Sequence, residues 1–431
     1  MKDFFRFFDR NTSYRQETIA GITTFLSVAY ILVVNPLILS EAGMDRGAVF
    51  TATALTAMIG TLLIGLLANY PIAIAPSMGL NSFFTFSVVI GMGIDWEVAL
   101  TGVFIAGIIF VLLSLMKIRE KIIDAIPIDL KNAIAAGIGF FIAFIGLKNA
   151  GIIVANPDTL VTIGDLTQPM TLLAVIGLII TIFMMVGGVN GAIFYGILIT
   201  TAIGMITGQI PMPSSIIGSV PSLEPTFGVV FFHLDEVFTP ELLAVIFTFL
   251  FVALFDTAGA LIGMTSQAGI MKNNKIPNIG RALLADSSAG AIGAVLGTST
   301  PATSVESSAG IAAGGRTGFT AIVIAACFGI SLFFAPVLSV ITAEVTAPAL
   351  IIVGGLMAKQ IGNIDWNKME IAIPSFLTII MMPLTSSVAA GIGIGFIVYP
   401  LTLVASKRGK EVSPLTYVIG FLFVLYFAFI V

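Results

Sequence analysis

Runs of roughly 20 apolar residues follow one another along almost the whole chain, joined by connections of only a few polar residues. They fall at 18–40, 47–68, 69–90, 97–117, 132–155, 169–187 and 189–208, and again at 239–263, 281–297, 298–314, 317–341, 346–360, 369–386 and 388–406. Stretches such as 172–186 have no polar period of two, so they predict membrane-crossing helices rather than the strands of an outer-membrane barrel. The pattern predicts an all-α polytopic membrane protein of about 14 transmembrane spans. A further apolar stretch, 414–431, either spans or lies against the bundle.

The first run, 18–40, is too long for the apolar region of a signal peptide and is expected to stay in place as helix 1, after a polar and aromatic N-terminus at 1–17. With 58% hydrophobic residues, 10% charged and a mean hydropathy of +1.09, the chain cannot cover a soluble globule and needs lipid as part of its solvent. The net charge of -4 matters less than its sidedness. Lys2, Arg6, Arg10 and Arg15 assign the N-terminus to the cytoplasm, and Lys117, Arg119, Lys121, Lys131, Lys272, Lys275, Arg281, Arg316, Lys359, Lys368, Lys407, Arg408 and Lys410 fall on the same side of the expected topology. The opposite connections 91–97, 155–170 and 208–240 contain no Lys or Arg; Arg46 and Lys148 are the exceptions. The reading is a multi-pass inner (plasma) membrane protein. Its single cysteine, Cys327, has no partner for an intramolecular disulfide.

The third run of each half breaks into small, polar and proline residues, at 73–82 (Ala-Ile-Ala-Pro-Ser-Met-Gly-Leu-Asn-Ser) and at 297–308 (Gly-Thr-Ser-Thr-Pro-Ala-Thr-Ser-Val-Glu-Ser-Ser). Seven spans followed by seven set the second half in the opposite orientation, an inverted repeat of 18–208 and 239–406 around an extracytoplasmic loop at 209–238, with a C-terminal segment at 407–431. Paired broken spans in inverted halves point to a transport site at the midplane, where freed backbone faces a cavity instead of lipid. The alternative is a pair of proline kinks satisfied by neighbouring Ser and Thr.

A carboxylate at bilayer depth costs at least about 2.5 to 3.5 kcal/mol, so each must face protein or water. Asp256 lies well inside span 8, Asp286 near the cytoplasmic end of span 9 and Glu306 in the second broken segment. Asp256 and Glu306 read as a ligand and proton site, or else as helix–helix clamps; Asp286, close to Arg281, reads equally as an ion pair, a clamp or a transport group. Asn81 offers both a donor and an acceptor opposite Glu306, or caps the helix that resumes after Gly79. Gly290, Gly293, Gly297, Gly310 and Gly314 allow close helix approach, whereas Gly391, Gly393 and Gly395 pack either against a second protomer or spans 13 and 14 together. His233 is isolated in the outer loop, so no metal cluster is expected. The stretch 117–131 reads as interfacial.

Pro76-Ser77-Met78-Gly79-Leu80-Asn81, Phe255-Asp256-Thr257-Ala258-Gly259, Ala285-Asp286-Ser287-Ser288-Ala289-Gly290 and the segment 297–310 with Thr303-Ser304-Val305-Glu306-Ser307, together with Phe7-Phe8-Asp9, resemble the AzgA-like purine permeases of the nucleobase:cation symporters over essentially the whole chain. The resemblance implies a core domain of spans 1–4 and 8–11, a gate domain of spans 5–7 and 12–14, and short antiparallel strands in spans 3 and 10. It implies import of adenine or of hypoxanthine and guanine with protons, with Asp256 and Glu306 holding the base and Gly79 and Asn81 lining the pocket. Thr257, Thr303 and Ser304 beside the acids complete the expected substrate site, and Glu306, Asp256 and Asp286 form the expected proton-coupling set. Phe83, Phe84 or Phe255 offers a ring to stack on the base, although with 34 Phe in the chain a lipid-facing or core role is the more usual one for each. Expected partners are a purine, a proton and membrane lipid, with a homodimer as an open alternative; neither nucleic acid nor a cofactor beyond the coupling proton is expected. The competing readings are an anion carrier or channel of the same architecture, which would show a basic residue or a free helix N-terminus at the broken segments instead of Glu306, and an intramembrane enzyme, for which HExxH and GxSxG are absent.

Overall fold

A computed structural model describes residues 2–116, 127–270 and 276–429. Helices form wherever the apolar runs are long: α1 (Tyr14–Val28), α2 (Ile31–Ser40), α3 (Arg46–Leu67), α4 (Met78–Ser82), α5 (Trp96–Leu115), α6 (Ile128–Asn149), α7 (Pro169–Val186) and α8 (Ala192–Ile206). The second half gives α9 (Pro240–Gln267), α10 (Ile279–Leu296), α11 (Ser307–Ala312), α12 (Gly318–Ser331), α13 (Ala343–Ala358), α14 (Met369–Thr385), α15 (Val388–Ala405) and α16 (Pro414–Phe429). Among the described residues nine helical stretches, counting α1 and α2 as one, are long and apolar enough to cross a membrane. The protein is a multi-pass membrane protein.

Four local features differ from the expected runs. The first run is two helices joined at Ala29 and Tyr30. The fifth ends at Asn149 rather than at 155, because Gly151 adopts a left-handed φ of 69° and the Gly151 and Ile152 N–H groups close on Lys148 O and Leu147 O. The chain then forms a hairpin of β2 (Ile153–Asn156) and β3 (Leu160–Ile163). The run at 317–341 is a helix only to Ser331, followed by a 3₁₀ turn and a short helix containing Pro336. The interfacial reading of 117–131 falls largely on 117–126, outside the described residues.

The helices pack as two sets. Helices α1, α3, α10 and α12 pack on one another, with α5 against α10 and α11 against α1; α6, α13, α14 and α15 form the other set, with α7 and α8 paired beside α13. Glycines set the closest approaches. A Cβ on Gly354 would lie 2.3 Å from Gly139 O, and one on Gly318 would lie 2.0 Å from Gly65 O, so α6 and α13, and α3 and α12, touch backbone to backbone. Gly391 and Gly395 are occupied by Met382 and Thr378 of α14, and Gly393 by Phe423 and Phe427 of α16. These three glycines therefore pack helices within the chain, and α16 lies against α15.

Candidate functional site

The two broken runs meet. β1 (Ile74–Pro76) pairs antiparallel with β4 (Pro301–Thr303), in the register Ile74 with Thr303, Ala75 with Ala302 and Pro76 with Pro301. The ladder is short because the prolines face each other and neither has an N–H to donate. Its ends are completed by Ser304 N–H to Ala73 O at 2.9 Å and Ser77 N–H to Thr300 O at 3.2 Å. Helices satisfy the outer edge: Thr61 Oγ1 of α3 accepts from Ile74 N–H at 3.0 Å, and Ser307 Oγ accepts from Ala73 N–H at 3.0 Å. Irregular backbone is thus tolerated here because protein, not lipid, surrounds it.

Each strand leads into a short helix, α4 after Ser77 and α11 after Glu306. Glu306 is half-buried, and both of its oxygens are held: Tyr30 Oη donates to Oε1 at 2.6 Å and Ser304 Oγ donates to Oε2 at 2.5 Å. A carboxylate so held still has lone pairs for a ligand donor. Asn81, in the middle of α4 and fully buried, does not cap that helix; Ser77 occupies the N-cap. Instead Asn81 Nδ2 donates to Asn35 Oδ1 at 2.5 Å, while Asn35 Nδ2 donates to Thr53 Oγ1 at 2.7 Å and to Thr298 Oγ1 at 2.9 Å. Asn35 therefore ties α2, α3, α4 and the approach to β4 into one buried network.

Asp286 is 5% exposed, and its Oδ2 accepts from Thr257 Oγ1 of α9 at 2.9 Å, so α9 and α10 are joined through the expected coupling acid. Asp256 lies one residue before Thr257 in α9; its side chain, like that of Phe255, lies outside the described residues. Gly79 faces α6: a Cβ there would lie 2.7 Å from Ile138 Cγ2. Phe83 and Phe84 are buried against Phe249 rather than against Glu306, with Phe83 edge-on at 5.0 Å. His233 bonds Glu236 at 2.7 Å in the 209–238 segment.

Unpaired polar atoms concentrate at this crossing. Asn81 Oδ1 and the hydroxyls of Ser82, Ser299, Thr300 and Thr303 are buried without a hydrogen-bond partner among the described residues. Each such group costs about 1–3 kcal/mol unless something pairs with it, so these groups, all in the two broken runs, are open to a polar ligand or water. A small crevice of about 10 Å³, room for no more than a single water, lies between Val34, Leu37, Ile38 and Glu41 at the end of α2, Asn149 of α6, and Ala343, Thr346 and Leu350 of α13. It begins one turn along the chain from Tyr30. Tyr30 and Asn35 were not singled out from the sequence; the available signal was polar side chains inside the first apolar run, with Asn35 next to Pro36.

The permease family Xan_ur_permease matches residues 15–394. The guanine/hypoxanthine permease PbuG of Bacillus subtilis is 58% identical over 100% of both chains. The adenine permease AdeP of Escherichia coli is 40% identical over 99% of this chain and 95% of its own. Among solved structures, the transmembrane domain of the cyanobacterial bicarbonate transporter BicA superposes with a TM-score of 0.65 at 16% identity, covering 87% of this chain and 97% of that one. The anion transporter Slc26a9 from mouse gives 0.65 at 10% identity over 91% and 69%, so these likenesses speak to the fold alone. The chain belongs to this permease family, among its AzgA-like purine permeases, and is a transporter rather than an enzyme.

Proposed function

We propose that the protein imports purine nucleobases across the plasma membrane by proton symport, with guanine and hypoxanthine as its substrates in preference to adenine. The observation that carries this reading is Glu306, half-buried just after β4 and held at both oxygens, in a broken run whose Ser299, Thr300 and Thr303 hydroxyls are buried without a partner among the described residues. A purine presents ring N–H donors and ring nitrogen acceptors along flat edges, which match a carboxylate acceptor, the Asn81 Oδ1 and the nearby hydroxyls. The 58% identity to a guanine/hypoxanthine permease against 40% to an adenine permease supports the order of preference.

In this reading the chain has 14 spans in two inverted repeats, with the N-terminus in the cytoplasm. The set built on α1, α3, α10 and α12 is the core that holds the base, and the set built on α6, α13, α14 and α15 is the gate against which it moves. Asp256 and Glu306 bind the base with Gly79, Asn81, Thr257, Thr303 and Ser304 around them, and Asp286, tied to Thr257, relays the proton state of the site between α9 and α10. Anion carriers share the fold, but an acidic residue at the crossing disfavours an anionic cargo.

Uptake into proteoliposomes tests the reading. With an inward proton gradient, radiolabelled guanine and hypoxanthine should accumulate, adenine less and uracil least, and collapsing the gradient should abolish accumulation. Accumulation that persists without the gradient would remove proton coupling, and failure of every purine to accumulate in folded, inserted protein would remove the substrate assignment.

A further inference from the structure

Tyr30 stands where the first apolar run changes its winding. Across the join of α1 and α2, Leu32 N–H bonds Ala29 O and Val33 N–H bonds Tyr30 O, both at 3.1 Å, the tightened spacing of a 3₁₀ turn. Such a turn carries about 3.0 residues in place of about 3.6, so it resets the face on which the next side chain falls. At this point the phenol is 2% exposed and its hydroxyl reaches Glu306, 276 positions away in the chain. Packing alone does not call for that hydroxyl. The chain uses 34 Phe against 7 Tyr, and a buried phenol is costly unless its O–H finds an acceptor.

We propose that Tyr30 is the positioning residue of the site: its O–H, opposed by that of Ser304, fixes the Glu306 carboxylate and leaves it as an acceptor aimed at the N–H edge of the ligand. The inference rests on the reading of Glu306 as a substrate-binding acid and adds to it the group that orients the acid. One lone pair on each Glu306 oxygen is taken by a protein hydroxyl, so those that remain select a ligand presenting N–H donors. Without Tyr30, Oε1 loses its donor and the carboxylate can rotate out of register, which weakens ligand binding before it affects the movement of loaded protein.

Tyr30→Phe keeps the ring and deletes only the donor. Purine uptake should show KM raised by about tenfold or more with kcat within about threefold of wild type, the size expected for a lost hydrogen bond to a charged group. Independently of transport, the carboxylate stretching band that disappears in Glu306→Gln should shift in the infrared spectrum of Tyr30→Phe. Ser304→Ala, which removes the donor to the other oxygen, should move KM and the band as well, and it stands in should Tyr30→Phe not fold. An unchanged KM, a loss confined to kcat, or a Glu306 band that does not move would overturn the inference. The two readings separate cleanly: a protein that takes up no purine yet shows the band shift loses its substrate assignment but keeps Tyr30 as the holder of Glu306.

Discussion

Two glutamates in this chain sit in apolar surroundings and are treated differently. Glu17, in the first turns of α1, is fully buried, and its carboxylate accepts from Arg316 N–H at 3.1 Å, Thr317 N–H at 3.2 Å and Thr320 Oγ1 at 2.5 Å. It caps the start of α12 from across the bundle, with two backbone donors held by the fold, so its position is set by the fold itself. Glu306 is half-buried and, among the described residues, accepts from the side-chain hydroxyls of Tyr30 and Ser304, with the unpaired hydroxyl of Thr303 three positions before it in the chain. Donors on side chains can rotate away or be exchanged for those of a ligand, whereas backbone donors at a helix start cannot. Burial of an acid therefore does not by itself mark function in a membrane protein; the kind of donor and what is left unsatisfied around it do.

Substitutions should separate the two. Glu17→Ala strands the buried Thr317 N–H and the part-buried Arg316 N–H and removes the shortest acceptor of the Thr320 hydroxyl, and is expected to cost on the order of 3 kcal/mol. It should appear as a clear fall in the thermal unfolding temperature in detergent, with purine KM unchanged in the protein that remains folded. A raised KM at wild-type stability would instead make Glu17 part of the site. At the exposed end of the same scale, Asp365 pairs with Lys368 at 2.7 Å in the connection before α14. The hydrogen bond from Lys368 holds the Asp365 carboxyl below its ordinary value, and the same contact raises the lysine. The contribution of Asp365 is thus present above the unfolded carboxylate value and is lost as pH falls through its lowered value, below about pH 4. That of Lys368 is present below the ordinary lysine value and is lost only as pH rises past it. Lys368→Gln should therefore leave the unfolding temperature at pH 7 unchanged within error, since exposed pairs contribute little. A drop comparable to that of Glu17→Ala would show that exposure is a poor guide here.

Much of this architecture is legible in the sequence, because a bilayer imposes lengths and forbids unpaired backbone. The long apolar runs could hardly be anything but helices, and the Pro, Ser and Thr content of 73–82 and 297–308 announced the two segments that become β1 and β4. Glu306 was found from the cost of burying a charge. What pairs with it was not: Tyr30 is 276 positions away, and nothing in Ser27-Val28-Ala29-Tyr30 signals a 3₁₀ join, since neither Gly nor Pro is present. Asn35 was hidden for the same reason, its partners Thr53, Asn81 and Thr298 being set by the crossing of distant elements. The 153–163 hairpin is signalled by Asn156-Pro157-Asp158 at its turn, but Ile153-Val154-Ala155 continue the apolar run of the preceding helix and the rest reads as a connection.

Glu306 is proposed to bind the cargo, whereas Glu17 holds the fold. Gradient-driven guanine uptake by Glu306→Gln, measured beside the variant's thermal unfolding in detergent, separates these roles. Uptake should fall by at least about a hundredfold, the loss of a hydrogen-bonded charge at a binding site, at a near wild-type unfolding temperature. Uptake within a few fold of wild type, or loss that merely follows a collapse in stability, would contradict the role proposed for Glu306.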